Sequence, residues 1–97
     1  MQNIFHVELT RLVQKELLKL PRHIVGKLLI WVKVVSAFGI VEARKIKGYH
    51  DEPLKGKRSH QRSIRLSGSY RAIYEIKTRV EIEISYIEVQ EVNKHEY

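Results

Sequence analysis

Positive charge is concentrated between residues 49 and 74, a stretch that reads YHDEPLKGKRSHQRSIRLSGSYRAIY. Its lysines and arginines are Lys55, Lys57, Arg58, Arg62, Arg65 and Arg71. Only three carboxylates, Asp51, Glu52 and Glu75, lie in this stretch or next to it. Cations packed this densely repel one another, so their concentration indicates an anionic ligand, for which polyphosphate is the natural candidate. A solvated basic surface is the alternative interpretation.

Three kinds of group in this stretch and at the chain end could together cleave RNA. Cleavage without a metal needs a base for the ribose 2′-hydroxyl, cations that stabilise the phosphorane, and an acid for the leaving 5′-oxygen. Glu52 or His95 suits the base, and His95 or Tyr97 suits the acid. The cations would be Lys55, Arg65 and Arg71. Many basic domains contain these residue types by chance. The set is therefore sufficient for RNA cleavage but is not specific to it.

The same residues also have structural interpretations. Glu52 precedes Pro53, which restricts it to extended geometry, so Glu52 could simply shape a turn or pair with Lys55. Arg71 could bridge to a glutamate across a hairpin, either Glu81 or Glu83. Chain ends usually fray, so the terminal histidine and tyrosine could act only if that end is docked.

Length and composition describe one small basic domain over residues 1–97. The chain has a mass of 11.5 kDa, a formal net charge of +7 and a pI near 9.8. This positive charge is compatible with binding to nucleic acid, to an acidic protein or to an anionic membrane. The absence of cysteine excludes disulfides and thiolate metal sites and fits a reducing cytosol. The five histidines are too scattered for zinc-ligand spacing. We therefore expect no metal and no cofactor.

A membrane location is the weakest of these alternatives. The longest apolar run, residues 28–32, is followed by Lys33 and is far shorter than the ~20 residues of a membrane span. The N-terminal residues have no charged head followed by an apolar block, so no signal peptide is expected. We expect a cytoplasmic protein.

A strand and a helix are predicted at the start of the chain. Residues 4–9 are β-branched or aromatic enough for a first strand. Thr10 offers an N-cap, and apolar residues at helical spacing predict a helix over about 10–20. Pro21 ends this helix and suits the first turn of the next one.

A second helix is predicted over about 22–38, although its many β-branched residues could also form a buried strand. It is apolar on more than one face, which indicates that more than one face is covered. A sheet would cover one side, and either a partner chain or the first helix would cover the other. Gly39 suits a C-terminal cap, and residues 40–46 suit one or two further turns.

Three strands are predicted after the basic loop. Period-two alternation indicates strands over residues 62–67 and 70–77, joined by a Ser-Gly-Ser turn. Thr78-Arg79 is a plausible tight turn before a third strand over 80–92, and a slip in the apolar phase predicts a bulge near Tyr86-Ile87. The predicted fold is therefore α+β, with two N-terminal helices packed on a small, mainly antiparallel sheet.

Four runs of this sequence resemble the RelE/ParE superfamily of type II toxins. They are Glu52-Pro53-Leu54-Lys55-Gly56, Ser63-Ile64-Arg65-Leu66, Tyr70-Arg71-Ala72-Ile73-Tyr74 and Asn93-Lys94-His95-Glu96-Tyr97. The resemblance covers essentially the whole chain, and its first and last runs are most similar to the mRNA endonucleases of the RelE, YoeB and HigB kind. It implies two helices on a small antiparallel sheet, cleavage of mRNA in the ribosomal A site, and silencing by a co-expressed antitoxin.

The resemblance also implies roles for single residues. Glu52 matches the carboxylate that is assigned as general base, and Arg71 matches the arginine that braces the scissile phosphate. Lys55 and Arg65 occupy positions where RelE-like members use cations for phosphate binding or catalysis. Lys57, Arg58 and Arg62 complete the expected phosphate-binding set.

The end of the chain departs from the family pattern. His95 and Tyr97 match a terminal His/Tyr pair that is adjacent in YoeB-like toxins, whereas Glu96 separates the two residues here. Residues two apart on an extended strand share one face, so both could face the same site if this end stays extended.

The expected function is that of a toxin that cleaves mRNA on the ribosome, with a cognate antitoxin, the ribosome with its A-site mRNA, and rRNA as partners. The first alternative is a ParE-like toxin that inhibits DNA gyrase by protein contact and does no chemistry. The second is a nonenzymatic RNA-binding module with salt-dependent affinity. The sequence leaves a homo-oligomer open.

Overall fold

Regular secondary structure accounts for most of residues 2–94, the part of the chain that the computed structural model describes. The strands are β1 (Val7–Leu9), β2 (Glu52–Pro53), β3 (Gln61–Arg65), β4 (Tyr70–Arg79) and β5 (Ile84–Lys94). The helices are α1 (Arg11–Leu17), α2 (Arg22–Phe38) and α3 (Ile40–Ala43). Short 3₁₀ turns cover Lys47–Tyr49 and Gly56–Arg58.

The strands form one mixed sheet in the order β1-β5-β4-β3-β2. β1 runs parallel to β5, and the other neighbours are antiparallel. The α+β class and the mainly antiparallel sheet are therefore confirmed. The sequence did not indicate β2, because a two-residue strand that contains a proline is too short to show alternation.

Helix α1 begins as predicted, because the Thr10 hydroxyl accepts the Val13 N–H at 3.2 Å. It ends at Leu17 rather than near residue 20. Tight i→i−3 hydrogen bonds take over at Leu18 and Lys19, and the Leu18 side chain is 87% exposed. Leu18 therefore lies outside the core, whereas Leu20, the last residue of the apolar spacing, packs partly buried against it from beyond the helix.

Helix α2 has the predicted bounds and supplies the centre of the core. Ile24, Leu28, Trp31 and Val35 are fully buried along one stripe. The Trp31 ring packs against the Tyr74 ring of β4, with their centroids 5.2 Å apart. This contact is the central link between the helical layer and the sheet.

The outer surface of α2 stays open to solvent. Leu29, Ile30 and Phe38 are 43%, 57% and 64% exposed. The first helix therefore does not cover the apolar excess of α2, so that alternative from the sequence is wrong. What remains is an exposed apolar surface, which we call the outer α2 surface and define by Leu29 and Ile30, whereas Phe38 is exposed at the end of the helix, on the side of the buried stripe.

The hairpin between β4 and β5 turns later than predicted. β4 continues through Thr78 to Arg79, which pairs with Ile84, and the turn occupies residues 80–83. The Arg79 guanidinium extends the strand by donating to both carboxylate oxygens of Glu8, at 3.0 and 2.8 Å. The hydrogen bonds from Arg79 and then from His6 hold the pKa of Glu8 below its ordinary value.

The strand predicted from residue 80 begins instead at Ile84. The alternating Val80 and Ile82 suggested a strand, but their side chains are 78% and 60% exposed in the turn. Glu83 has a φ of +52°, in the left-handed region, which reverses the chain there. The alternating apolar residues in this turn are therefore exposed and do not form a strand.

The bulge also lies elsewhere. Ile73 pairs with Glu91 while Tyr74 pairs with Val89, so Gln90 is the extra residue. Tyr86 and Ile87 are both buried because they lie on opposite faces of a sheet covered on both sides at that point: Ile87 is in the core, and the guanidinium of Arg79 lies over the Tyr86 ring. The phase slip in the sequence is therefore not a local irregularity.

Within residues 2–94, no helix is both long enough and apolar enough to cross a membrane.

Gly39 and Gly26 should respond oppositely to alanine. Gly39 has a φ of +86°, and a Cβ there would lie 2.2 Å from Oδ1 of Asn3, which accepts the N–H groups of Ile4 and Val41. Gly39→Ala should lower the free energy of unfolding by about 2 kcal/mol. A Cβ at Gly26, inside α2, meets nothing within 4 Å, so Gly26→Ala should raise that free energy by about 1 kcal/mol.

Urea unfolding followed by the fluorescence of Trp31, the only tryptophan, measures both changes. Equal effects of the two substitutions would contradict this account of the α2–α3 junction.

Candidate active site

A cleft of about 460 Å³ lies on the face of the sheet away from α2, which we call the open face. Its lining residues are Glu52, Pro53, Leu54, Lys55, Ser63, Arg71, Ile73 and Asn93. The cleft therefore brings together a carboxylate and two cations that the sequence analysis had grouped by type alone.

Arg71 and Glu52 form the centre of the cleft. Nη1 of Arg71 lies 3.4 Å from Oε1 of Glu52 and donates to Oγ of Ser63 at 3.3 Å. The Arg71 side chain is 23% exposed, whereas that of Glu52 is 60% exposed. The cation is thus held in place, and the carboxylate stays accessible to a ligand.

The ion pairs offered as alternatives for these two residues, Arg71 with Glu81 or Glu83 and Glu52 with Lys55, do not form within the described residues. Glu81 and Glu83 lie in the turn after β4, at the opposite end of that strand from Arg71. Glu52 forms its ion pair with Arg71 and not with Lys55. The pairing of Arg71 with Glu52 joins positions 19 residues apart, so no local pattern could indicate it.

Strand register positions the cleft. Glu52 pairs with Ser63 across β2 and β3, Ser63 pairs with Ile73 across β3 and β4, and Arg71 pairs with Asn93 across β4 and β5. Alternate residues of a strand share a face, so this register delivers all five side chains to the open face.

Arg65 lies directly opposite Arg71 in the β3–β4 ladder. Like charges at directly opposed positions repel one another, and their Cβ atoms are about 5 Å apart. A phosphate between the two guanidinium groups would remove this repulsion. The pair therefore favours an anion at this end of the open face.

The predicted phosphate-binding residues differ in how free they are. Among residues 2–94, Lys55, Lys57 and Arg65 form no ion pair. Arg58 is bound to Glu91 of β5, and its Nε donates to Oε1 of Gln61 at 2.6 Å. Arg58 thus tethers the basic loop to the sheet, and a phosphate would have to compete with Glu91 for it.

Arg62 points to the other face of the sheet. Its Nε lies 2.6 Å from Oδ1 of Asp51, whose side chain is fully buried, and the Tyr74 hydroxyl donates to Oδ2 of Asp51 at 2.5 Å. Burial opposes the charge on Arg62, but the hydrogen bond and the charge of Asp51 outweigh it and raise the pKa of the guanidinium. Arg62 therefore contributes to the structure under the cleft and does not line it.

Tyr74 is the second partner of Asp51. Burial, followed by the charge and hydrogen bond of Asp51, raises the pKa of Tyr74 well above its ordinary value. The phenol therefore stays protonated and donates to the carboxylate. Its oxygen also accepts from Nε of Arg44 at 3.4 Å.

His95 and Tyr97 lie outside the described residues. The last described residue, Lys94, pairs with Tyr70, next to the pairing of Asn93 with Arg71 in the cleft. The assignment of these two terminal residues as catalytic groups stays a prediction.

Five lining residues were not among the predicted site residues: Pro53, Leu54, Ser63, Ile73 and Asn93. Period-two alternation could have placed Ser63 beside Arg65 and Ile73 beside Arg71. Asn93 could not have been placed, because the bulge at Gln90 changes the phase of β5 before it.

Carboxylates occupy the middle of the open face. Glu75 and Glu88 are direct cross-strand neighbours, and Nε2 of Gln90 bridges them by donating to both, at 2.8 and 2.9 Å. Glu91 follows toward the cleft and accepts from Nδ2 of Asn93 at 3.0 Å. Nζ of Lys77 lies 3.6 Å from Glu88, and Arg58 is bound to Glu91, so charges of both signs are paired in the middle of the open face, whereas cations predominate at the cleft end.

No group of three or more His, Asp or Glu side chains within residues 2–94 is arranged to hold a metal ion.

Arg62 and Arg65, three residues apart and equal in charge, should differ in their effect on stability. Arg62→Ala leaves the buried Asp51 carboxylate without its cation and should lower the free energy of unfolding by about 3 kcal/mol. Arg65→Ala removes a cation that faces another cation and should change it by less than about 0.5 kcal/mol. Thermal and urea unfolding of both variants test this, and a similar loss in both would contradict the two environments described.

No protein-family model matches this sequence, and no curated protein does. Solved structures do match. A YoeB/ParE toxin from Agrobacterium tumefaciens is 16% identical, with 94% of this chain and 99% of that chain covered and a TM-score of 0.65. The RelBE2 toxin–antitoxin complex from Mycobacterium tuberculosis matches at 24% identity, 95% and 99% coverage and a TM-score of 0.59.

An archaeal RelE–RelB complex from Pyrococcus horikoshii matches at 20% identity, with 93% of each chain covered and a TM-score of 0.65. These likenesses span nearly the whole chain, and they agree with the motifs around Glu52 and Arg71. The protein therefore has the RelE/ParE-like toxin fold.

Proposed function

We propose that this protein is the toxin of a type II toxin–antitoxin system and that it cleaves mRNA on translating ribosomes in the cytoplasm. The observation that carries the proposal is the cleft in which Arg71 lies 3.4 Å from an exposed Glu52 and opposite Arg65. A proton-transfer group beside cations that stabilise a phosphorane supplies two of the three functions that RNA cleavage requires, and His95 would supply the third. The toxins with this fold add support.

The reaction proceeds through the ribose 2′-hydroxyl. Glu52 and His95 share the proton transfers: one removes the 2′ proton as the 2′ oxygen attacks phosphorus, and the other protonates the 5′-oxygen as its bond to phosphorus breaks. The products are a 2′,3′-cyclic phosphate and a free 5′-hydroxyl. Tyr97 assists at the leaving group.

Arg71 stabilises the phosphorane. In the free protein this guanidinium is shared between Glu52 and Ser63, and an incoming phosphate replaces Glu52 as its anionic partner. Glu52 is then released from its cation and can take part in the proton transfers. Lys55 and Arg65 bind the flanking phosphates, and Lys57 extends this surface toward rRNA.

The charge pattern of the open face restricts the path of the RNA. In the middle of the sheet Glu88 is paired with Lys77 and Glu91 with Arg58, so the nucleotide chain follows the more accessible cations at the cleft end, along β2 and β3.

Arg71→Ala should abolish most of the cleavage without unfolding the protein. Removal of one donor that stabilises transition-state charge reduces rates by about 10²–10³-fold. Glu52→Gln should reduce the rate strongly as well, because the amide cannot accept a proton. Primer extension on a defined mRNA, translated in a purified cell-free system, measures the cut positions and their rate.

Arg11→Ala is the matched control, since Arg11 is an exposed arginine of α1, away from the cleft. It should cut like the wild type. Full activity of Arg71→Ala would contradict the mechanism. Intact mRNA with the wild type, together with a loss of DNA supercoiling by gyrase, would favour the ParE-like alternative.

The partner is a cognate antitoxin that covers the outer α2 surface. Leu29 and Ile30 are exposed there, and Lys33 lies one turn from Ile30 on the same helix. An amphipathic segment with apolar and acidic side chains complements such a surface. The Mycobacterium tuberculosis structure is a toxin–antitoxin complex, and the Pyrococcus horikoshii structure is a RelE–RelB complex.

Ile30→Glu should weaken antitoxin binding at least about tenfold, because a charge is buried in an apolar contact. Ile82→Glu, an equal change at an isoleucine that is 60% exposed in the β4–β5 turn, is the control and should leave the affinity unchanged. Calorimetric titration of the antitoxin into each variant measures both. Wild-type affinity for Ile30→Glu would place the antitoxin elsewhere.

A further inference from the structure

Asp51 is a fully buried carboxylate in the loop that carries Glu52. It has two strong partners on two strands, Nε of Arg62 at 2.6 Å and the hydroxyl of Tyr74 at 2.5 Å. Arg62 also donates from Nη2 to the backbone carbonyl of Asp51 at 3.4 Å. Both the side chain and the main chain of Asp51 are therefore attached to the core side of the sheet.

Glu52 follows directly and points the opposite way, into the cleft beside Arg71. Pro53 restricts Glu52 to extended geometry, and extended neighbours project to opposite faces. With Asp51 held on the core side, Glu52 is therefore directed to the open face. One buried residue thus determines where the proposed base lies.

The backbone before Asp51 is strained in a way that fits such an anchor. His50 has φ +45° and ψ +52°, the left-handed region that residues with a Cβ avoid. Strain of this kind persists only where the surroundings over-determine the conformation. Here the hydrogen bond from the His50 N–H to the Lys47 carbonyl at 3.1 Å holds one side, and the two hydrogen bonds of the Asp51 side chain hold the other.

The contacts of Glu52 itself are weaker than those of Asp51. Its side chain is 60% exposed, and its contact with Arg71 is 3.4 Å long. Its strand, β2, has two residues, followed by one further hydrogen bond from the Leu54 N–H to the Gln61 carbonyl at 2.9 Å. Orientation of Glu52 therefore depends on its buried neighbour.

We propose that Asp51 is the positioning residue of the active site: through Arg62 and Tyr74 it holds the Glu52 carboxylate beside Arg71 in reactive geometry. This inference rests on the proposed nuclease function for its effect on rate. The raised pKa of Tyr74 agrees with it, because a phenol that stays protonated keeps its donor directed at Asp51. A displacement of about 1 Å at a reacting group can reduce a rate 10²-fold.

The test compares Asp51→Asn and Tyr74→Phe with the wild type. Single-turnover cleavage of a defined mRNA on programmed ribosomes gives the rate at saturating protein and the protein concentration for half-maximal rate. Asp51→Asn should lower the saturating rate about 10–100-fold, and Tyr74→Phe about tenfold, because both loosen Glu52. The half-saturating concentration should stay within twofold, since the cations that bind phosphate are unchanged.

Val35→Ala is the control for an effect of lost stability on the cleavage rate. It removes buried apolar volume from α2 and leaves the Asp51 contacts intact. It should cleave at the wild-type rate at a temperature where Trp31 fluorescence reports a folded protein. If Val35→Ala also cleaved slowly, general destabilisation would explain the effect of Asp51→Asn, and the proposal would be overturned.

A second readout needs no catalytic activity. Hydrogen exchange of the Leu54 amide, which follows Glu52 and Pro53, should accelerate at least tenfold in Asp51→Asn while amides of β4 and β5 exchange as before. Unchanged exchange at Leu54, or wild-type cleavage by Asp51→Asn, would overturn the positioning role. If the wild type leaves mRNA intact, the proposed function fails, and the exchange comparison still decides whether Asp51 anchors this segment.

Discussion

The architecture of the cleft depends on the burial of one negative charge. A carboxylate withdrawn from water is tolerated only if cations and donors surround it, and Asp51 meets this condition through Arg62 on β3 and Tyr74 on β4. The Tyr74 ring in turn packs on Trp31 of α2. A single buried group therefore joins the helical layer, two strands and the loop before β2, and the cleft is built directly on the other side of that connection.

Because successive residues of a strand face opposite sides of the sheet, the contacts on the core side also fix the positions of side chains on the open face. Arg62 and Ser63 are neighbours on β3, and they serve opposite sides of the sheet: Arg62 fixes Asp51, and Ser63 accepts a hydrogen bond from Arg71. The rigid side of the sheet and the reactive side are thus one residue apart. Proposed catalytic groups on such a framework need few contacts of their own, which leaves Glu52 accessible to a substrate.

The net charge of +7 describes this protein less well than the division of its cations into those that form ion pairs and those that do not. Arg58, Arg62 and Arg79 are bound to carboxylates and stabilise the fold. Within residues 2–94, Lys55, Lys57 and Arg65 form no ion pair and remain available for an anion. Carboxylates on the middle of the open face separate these cations from the far end of the hairpin, so they form a distinct patch on this face of the sheet.

The sequence by itself determined the elements whose signals are local and the family whose motifs are contiguous. The cap at Thr10, the extent of α2 and the terminus at Gly39 follow from interactions within a few residues, and the runs around Glu52 and Arg71 predicted the RelE/ParE-like fold. Period-two alternation places Arg62 and Arg65 on opposite faces of β3, but tertiary structure alone decided that Arg62 pairs with the buried Asp51 and that Arg65 lies opposite Arg71 on the open face, because strand pairing brings those partners there.

Tertiary structure also decided the position of the bulge and of the hairpin turn. Apolar alternation looks the same whether side chains are buried, as in β5, or exposed, as at Val80 and Ile82, because burial depends on what packs against a strand and not on its own residues. The proximity of Glu52, Arg71 and Asn93 depends on strand pairing between distant segments, which composition and spacing do not encode.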